Sequence, residues 1–260
     1  MVSHSGLVTV MDRAARKAAP RLRRDFNEVQ QLQVSRKGPA DFVSMADKRA
    51  EQTLFEELRK ARPDWGFVME EGGEIEGDPD KPRWIIDPLD GTVNFAGGLP
   101  WFSVTAAYQE EGATRVGIVH APLAGIIGRY AENEIASVNG ERARVSAVSS
   151  LSDAIVSMII TSHFDEAEVA RAAEAIRRLG EVARGVRIIV SGGLEMTWVA
   201  CGQLDAYVSL KADIVSHAAA MPLVRAGGGC VTRLDGTDAR DEDLDKITSN
   251  GRIHAELLAL

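Results

Sequence analysis

The chain has 260 residues, 45% of them hydrophobic, a length that suits one large domain or two fused halves with an ample core. Its net charge of -8 argues against a general nucleic-acid binder, which would carry a basic footprint. Acidity does not exclude a phosphorylated substrate, because bound cations reverse the local sign of a site.

The first element in chain order is an amphipathic helix from about Gly6 to Gln33, with Leu7, Val10, Met11, Ala14, Ala18, Leu22 and Phe26 near helical spacing. Pro20 is placed to kink or divide it. Arg36-Lys-Gly-Pro-Ala40 reads as a break, and a second helix follows from about Met45 to Ala61. The period then changes. Trp65 to Met69, Arg83 to Ile86, Phe102 to Tyr108, Thr114 to His120 and Ile126 to Ala131 read as strands, and Asn139-Gly140 is a hairpin signal. After about Ser149, strands at 154–160, 186–190 and 206–210 alternate with helices at 166–179, 194–200 and about 218–226. A strand near Cys230 to Arg233 and a helix at His254 to Leu260 finish the chain. The pattern predicts an α+β protein in two tightly joined halves, 1–148 and 149–260.

Cys201 and Cys230 form no CxxC pair and read as buried free thiols. The N-terminus lacks signal-peptide features, and the longest apolar runs fall short of the roughly 20 residues that a membrane span needs. The expectation is a soluble cytoplasmic protein with no membrane partner.

The chemistry concentrates at Asp87 and Asp90, three residues apart after the apolar run Trp84-Ile-Ile86. Pro88 is expected to end that strand, setting both carboxylates on a tight turn at the surface of a cleft. Carboxylates held so close repel one another unless a cation lies between them. Mg²⁺ suits the place, since it takes oxygen ligands and bridges carboxylates to phosphate. Glu70-Glu71 offers a further ligand, the backbone at Gly91-Thr92 an anion site, and Thr92 a hydroxyl to orient water. The segment Asp87-Pro-Leu-Asp-Gly91, taken alone, reads equally as an ordinary acidic surface turn.

The surrounding residues decide between these readings. Ile85-Ile-Asp-Pro-Leu-Asp-Gly-Thr-Val-Asn-Phe95, followed by Gly98-Leu-Pro100 and Phe102-Ser-Val-Thr105, closely resembles the first signature of the inositol monophosphatase family. Lys37-Gly-Pro-Ala-Asp41-Phe-Val-Ser44-Met-Ala-Asp47 looks like the segment before that family's second helix, with Ser44 for the usual Thr. Phe67-Val-Met-Glu70-Glu71 looks like its Gly-Glu-Glu segment, with Met69 for Gly, and Ile247 to Gly251 resembles its C-terminal end. The resemblance implies a layered α/β/α/β/α sandwich, a homodimer, and Mg²⁺-dependent hydrolysis of a small phosphorylated metabolite. It implies Glu70, Asp87, Asp90 and the Leu89 carbonyl as metal ligands. Glu70, Thr92 and Asp47 would be catalytic, the last two positioning and deprotonating the attacking water. Asp90, Gly91, Thr92, Ser191 and Gly192 would bind substrate, with Ser191 and Gly192 on its non-phosphate part.

One departure is chemical. The family's second signature, roughly Trp-Asp-x-Ala-Ala-Gly, aligns with Val215-Ser216-His217-Ala-Ala-Ala220, so Ser216 stands where a metal-ligating Asp is expected. Its hydroxyl suits a helix N-cap instead. Asp213 is a candidate replacement ligand. His217 is another, toward Mn²⁺ or Zn²⁺ rather than Mg²⁺. Ser209 falls where several relatives carry a Glu that touches the sugar alcohol. Inositol monophosphate is the default substrate by resemblance. Histidinol phosphate, a sugar phosphate and a 3'-phosphorylated nucleotide stay open, as does a weakly active relative that binds phosphate or a protein. Gly227-Gly-Gly229 follows a helix and reads as a turn, His163 as a surface side chain, and Trp101 and Trp198 as core or dimer interface.

Overall fold

The structure, a computed structural model, describes the backbone of residues 4–34, 40–78, 81–161, 163–211 and 213–260, and the side chains of these except 30–34, 40 and 41. Arg36 to Pro39, where a break was expected, and the Asp41 side chain lie outside the described residues.

The first two elements are long helices, α1 (His4–Val34) and α2 (Ala40–Ala61). Pro20 lies inside α1 and does not divide it. The apolar faces of both helices are buried, from Leu7 and Met11 to Leu54 and Leu58. They cover one face of an eight-stranded sheet built from β1 (Gly66–Met69), β2 (Gly73–Ile75), β3 (Arg83–Asp90), β4 (Ser103–Glu110), β5 (Ala113–Ala121), β6 (Ile126–Ala131), β7 (Ser137–Val138) and β8 (Glu141–Arg142). Its order is β2-β1-β3-β4-β5-β6-β7-β8, with β1 parallel to β3 and the other pairs antiparallel. Between β3 and β4 lies the short helix α3 (Thr92–Gly97), absent from the sequence reading.

The second sheet contains β9 (Ile155–Met158), β10 (Gly185–Arg187), β11 (Ala206–Ser209), β12 (Cys230–Thr232) and β13 (Lys246–Ser249), in the order β10-β9-β11-β13-β12. Helices α5 (Gly192–Ala200), α6 (Ile214–His217) and α7 (Met221–Ala226) fill the space between the sheets, where Leu194, Met196, Leu223 and Val224 join Ile85, Val119 and Tyr207 in one buried cluster. The helix expected at about 218–226 is the shorter α7, preceded by the unexpected α6, and Pro222 falls in the first turn of α7, where its missing N–H costs nothing. On the outer face of the second sheet, α4 (Glu166–Val182) and α8 (His254–Leu258) bury Ala172, Leu179 and Leu257. Asp165 opens α4 with a reciprocal capping box to Glu168. The result is an α+β sandwich in α/β/α/β/α layers. Among the described residues no helix is long and apolar enough to cross a membrane.

Helix α3 is pinned by its aromatic residue. Phe95 is fully buried, with its ring centroid 5.6 Å from that of Phe26 and 5.0 Å from that of Phe102. Phe95→Ala leaves a cavity there and is expected to cost about 3–5 kcal/mol, read as a lower denaturation midpoint in urea.

Candidate active site

The site grows from an irregularity in β3. Asp87 pairs with Thr105 and Asp90 with Ser103, so three steps on β3 oppose two on β4. In a regular strand, residues three apart point to opposite faces. The bulge cancels that alternation and turns both carboxylates toward the C-terminal half of the chain. Pro88 therefore does not end the strand; it occupies the bulge, where no ladder donor is needed. Nor are the carboxylates at the surface, since Asp87 is 1% and Asp90 5% exposed.

Asp87 accepts from the Leu89 amide at 2.9 Å and from the Ser216 hydroxyl at 3.0 Å. Burial, and then the neighbouring Glu70 and Asp90, hold its carboxyl well above the usual range. Glu70 sits at the exposed rim at the end of β1, yet the protein strips its carboxylate of enough water to push its pKa up to about 7. Asp90 is gripped by four donors: Ser103 Oγ and Ser191 Oγ at 2.7 Å, and the amides of Gly192 and Gly193 at 2.9 and 3.0 Å. Burial raises its pKa to about 6, against the pull of those hydrogen bonds. Ser191 and Gly192, expected at the substrate, thus bind the Asp90 carboxylate.

Gly91 adopts φ 97° and starts α3; a Cβ there would lie 2.8 Å from the Trp101 carbonyl, so glycine is required. Thr92 Oγ1 donates to the Leu89 carbonyl at 2.9 Å, joining two predicted site groups. From α2, Asp47 is 2% exposed, and its Oδ1 has no hydrogen-bond partner among the described residues. Burial, then the charges of Glu70, Glu71 and Glu51, push its pKa up to about 8. Glu51 accepts from the Glu71 amide at 2.9 Å and fastens the turn after Glu70 to α2.

Asp213, not Ser216, is the N-cap of α6, accepting from the Ser216 amide at 2.8 Å. This frees the Ser216 hydroxyl for Asp87, a role that the N-cap expectation missed. Asp213 is exposed, and its charge raises the pKa of Glu70, Asp87 and Asp90, so it faces the same cluster. His217 turns away into the core, its Nε2 3.1 Å from the Tyr207 hydroxyl and the two rings edge to face. Burial, and then Lys246, depress its pKa to about 4, with Asp213 opposing. The folded state therefore disfavours its protonation. Its contribution to stability is whole above its unperturbed value of 6.5 and lost as pH falls through about 4. His217→Gln is expected to flatten that acid limb, measured as unfolding free energy against pH.

Among the described residues, no three histidine, cysteine, aspartate or glutamate side chains close into a ready metal cage. The donor chemistry nonetheless fits a hard divalent cation. Glu70, Asp87 and Asp90 offer only oxygens, repel one another, and lie by Asp47 Oδ1, which has no partner among the described residues. The sequence reading missed Ser103, Gly193, Glu51 and Glu195. Ser103 lay within the quoted Phe102-Ser-Val-Thr105 stretch, and Glu195 is an acid near the start of a helix; Gly193 and Glu51 carried no local signal.

The model of the inositol monophosphatase family matches residues 5–259. The chain belongs to that family. An inositol-1-monophosphatase of Rhizobium meliloti is 40% identical over 236 residues, covering 90% of this chain and 88% of that one. An inositol-1-monophosphatase of Mesorhizobium japonicum is 37% identical over 257 residues, covering 99% and 96%. The native crystal structure of the extragenic suppressor protein suhB from Bartonella henselae superposes with a TM-score of 0.87 at 33% identity, covering 98% of this chain and 97% of that one. Inositol monophosphatase membership makes this chain one of a family of phosphatases that act on small phosphorylated substrates.

Proposed function

We propose that this chain hydrolyses a small phosphate monoester with Mg²⁺, or Mn²⁺ in its place, and that inositol monophosphate is the first substrate to test. The carrying observation is the bulge in β3, which buries Asp87 and Asp90 together beside Glu70. Glu70, Asp87, Asp90 and the Leu89 carbonyl would hold the metal, with Asp213 at the exposed edge. When bound, such a cation neutralises phosphate charge and lowers the pKa of the attacking water. Thr92 Oγ1, already donating to Leu89, has lone pairs left to orient that water. Asp47 Oδ1 has no other partner among the described residues, and burial raises its pKa to about 8, in the range that suits a general base near neutral pH. The backbone at Gly91 and Thr92 would hold the phosphate. Ser191 and Gly192 would meet the rest of the substrate through their shared grip on Asp90.

The relatives named inositol-1-monophosphatase support the inositol reading. Ser209, fully buried where a sugar-alcohol-binding Glu was expected, favours testing other esters beside it. A phosphate-release panel of inositol phosphates, histidinol phosphate, fructose bisphosphate and adenosine bisphosphate, run with Mg²⁺, with Mn²⁺ and after chelation, decides among them. Turnover of at least one ester that disappears on chelation is the expected result. No turnover by folded protein would favour the second reading, a weakly active relative that binds phosphate or a partner, which rests on Ser216. We also propose a homodimer, joined across the apolar groove of Trp101, Ile188, Ile189 and Trp198.

A further inference from the structure

We infer that Glu195 is a positioning residue of this site: from inside α5 it fixes the Val190–Ser191 turn that aims three donors at Asp90. The inference rests on the reading of Asp90 as part of the phosphatase site.

Glu195 is fully buried in a helix whose other buried residues include Leu194, Met196 and Val199. A carboxyl in such a place is costly unless its oxygens are satisfied. Here they are. The Ser191 amide donates to Glu195 Oε2 at 2.9 Å, and Ser157 Oγ donates to Oε1. One of these two donors is the backbone amide at the entrance to α5.

That entrance needs holding. Val190 adopts φ 64°, a left-handed conformation that a β-branched residue enters only at a cost. Ser191 is the N-cap of α5, yet its hydroxyl makes no capping bond. The hydroxyl goes to Asp90 instead, and Glu195 takes the Ser191 amide. The turn is thus bent to serve Asp90, with Glu195 holding it from below. Asn94 of α3 holds it from the other side, donating to the carbonyls of Ile189 and Val190 at 2.6 and 3.3 Å. Simple packing would be served as well by leucine, which has similar bulk and no acceptors.

The test is calorimetric titration of Mn²⁺ into metal-stripped, full-length protein, without substrate. Glu195→Leu is expected to weaken Mn²⁺ binding about 10–100-fold, the range for losing a group that orients a ligand. Glu195→Gln, which keeps an acceptor for the Ser191 amide, is expected to bind close to the parent. Val190→Gly in the Glu195→Leu background is expected to recover part of the loss, because glycine holds a positive φ unaided. Combined with Ser191→Ala, Glu195→Leu is expected to add little further loss, since both act on one path to Asp90. Glu195→Met makes the same comparison if the leucine variant does not fold. Parental Mn²⁺ affinity in a folded Glu195→Leu or Glu195→Met variant overturns the inference, as do fully additive losses with Ser191→Ala. Asp90→Asn in the same titration separates the two levels. If it binds like the parent, the reading of Asp90 fails; if it loses binding while Glu195→Leu keeps it, only the role of Glu195 fails.

Discussion

Asp90→Asn is expected to cut metal-dependent phosphate release by about 10²–10³-fold, the scale for removing one preorganised electrostatic group. The carboxylate has no spare face for an amide. Its Oδ2 accepts from Ser103, Ser191 and Gly193, and its Oδ1 accepts from Gly192. Either orientation of asparagine sets an NH₂ against a backbone amide that also needs an acceptor. The variant thus loses a negative charge from the proposed metal site and breaks the contact that aligns α5 with β3. Losing the charge also relieves repulsion from Asp213, so the fold is expected to survive. The measurement is kcat/KM under saturating Mg²⁺, beside a near-ultraviolet circular dichroism spectrum. Parental kcat/KM in a folded variant would contradict the proposed site.

The opposite experiment restores an acid. Ser216→Asp is expected to destabilise the metal-free protein and to make it more responsive to Mg²⁺. The serine hydroxyl lies 3.0 Å from Asp87 Oδ2 and donates to it. A carboxylate there would replace a hydrogen bond with like-charge contact, beside Glu70, which already adds to the charge on Asp87. Two such charges about 4 Å apart repel by about 1–4 kcal/mol between bulk water and a protein surface. A cation binding between them reverses the sign, and binding to the folded state alone stabilises it by mass action. The expected result is a lower Tm in chelator and a larger Mg²⁺-induced rise than in the parent. Equal rises in both proteins would show that position 216 does not face the metal.

The layered fold was legible because its long elements carry clean periodicity. Leu7 to Phe26 of α1 and the apolar strands β3 to β6 pack as their spacing predicts. What escaped depends on contacts remote in sequence. Periodicity stops at Ile86 because the bulge breaks it, yet the strand runs on to Asp90. Strand β13 begins with Lys246 and ends with Thr248 and Ser249, polar residues that only the fold buries. Helix α3 has six residues, too few for a period, and Asn94 ties it to Ile189. The motif singled out Asp87 and Asp90 but not their burial or their partners. Ser216 meets Asp87 from 129 positions away, and no local pattern encodes that pairing.

The grip on Asp90 has a consequence for the molecule as a whole. Its donors come from β4 and from α5, Ser216 of α6 reaches Asp87, and Thr105 of β4 donates to the Val215 carbonyl. Part of the seam between the two sheets is thus stitched at the place where the proposed chemistry would occur, beside the Gln109 and Thr114 bonds to Asp241 elsewhere along it. A loosening at that part of the seam would disturb the proposed reactive geometry while both sheets stay intact, so the proposed catalysis would draw on bonds that also serve cohesion.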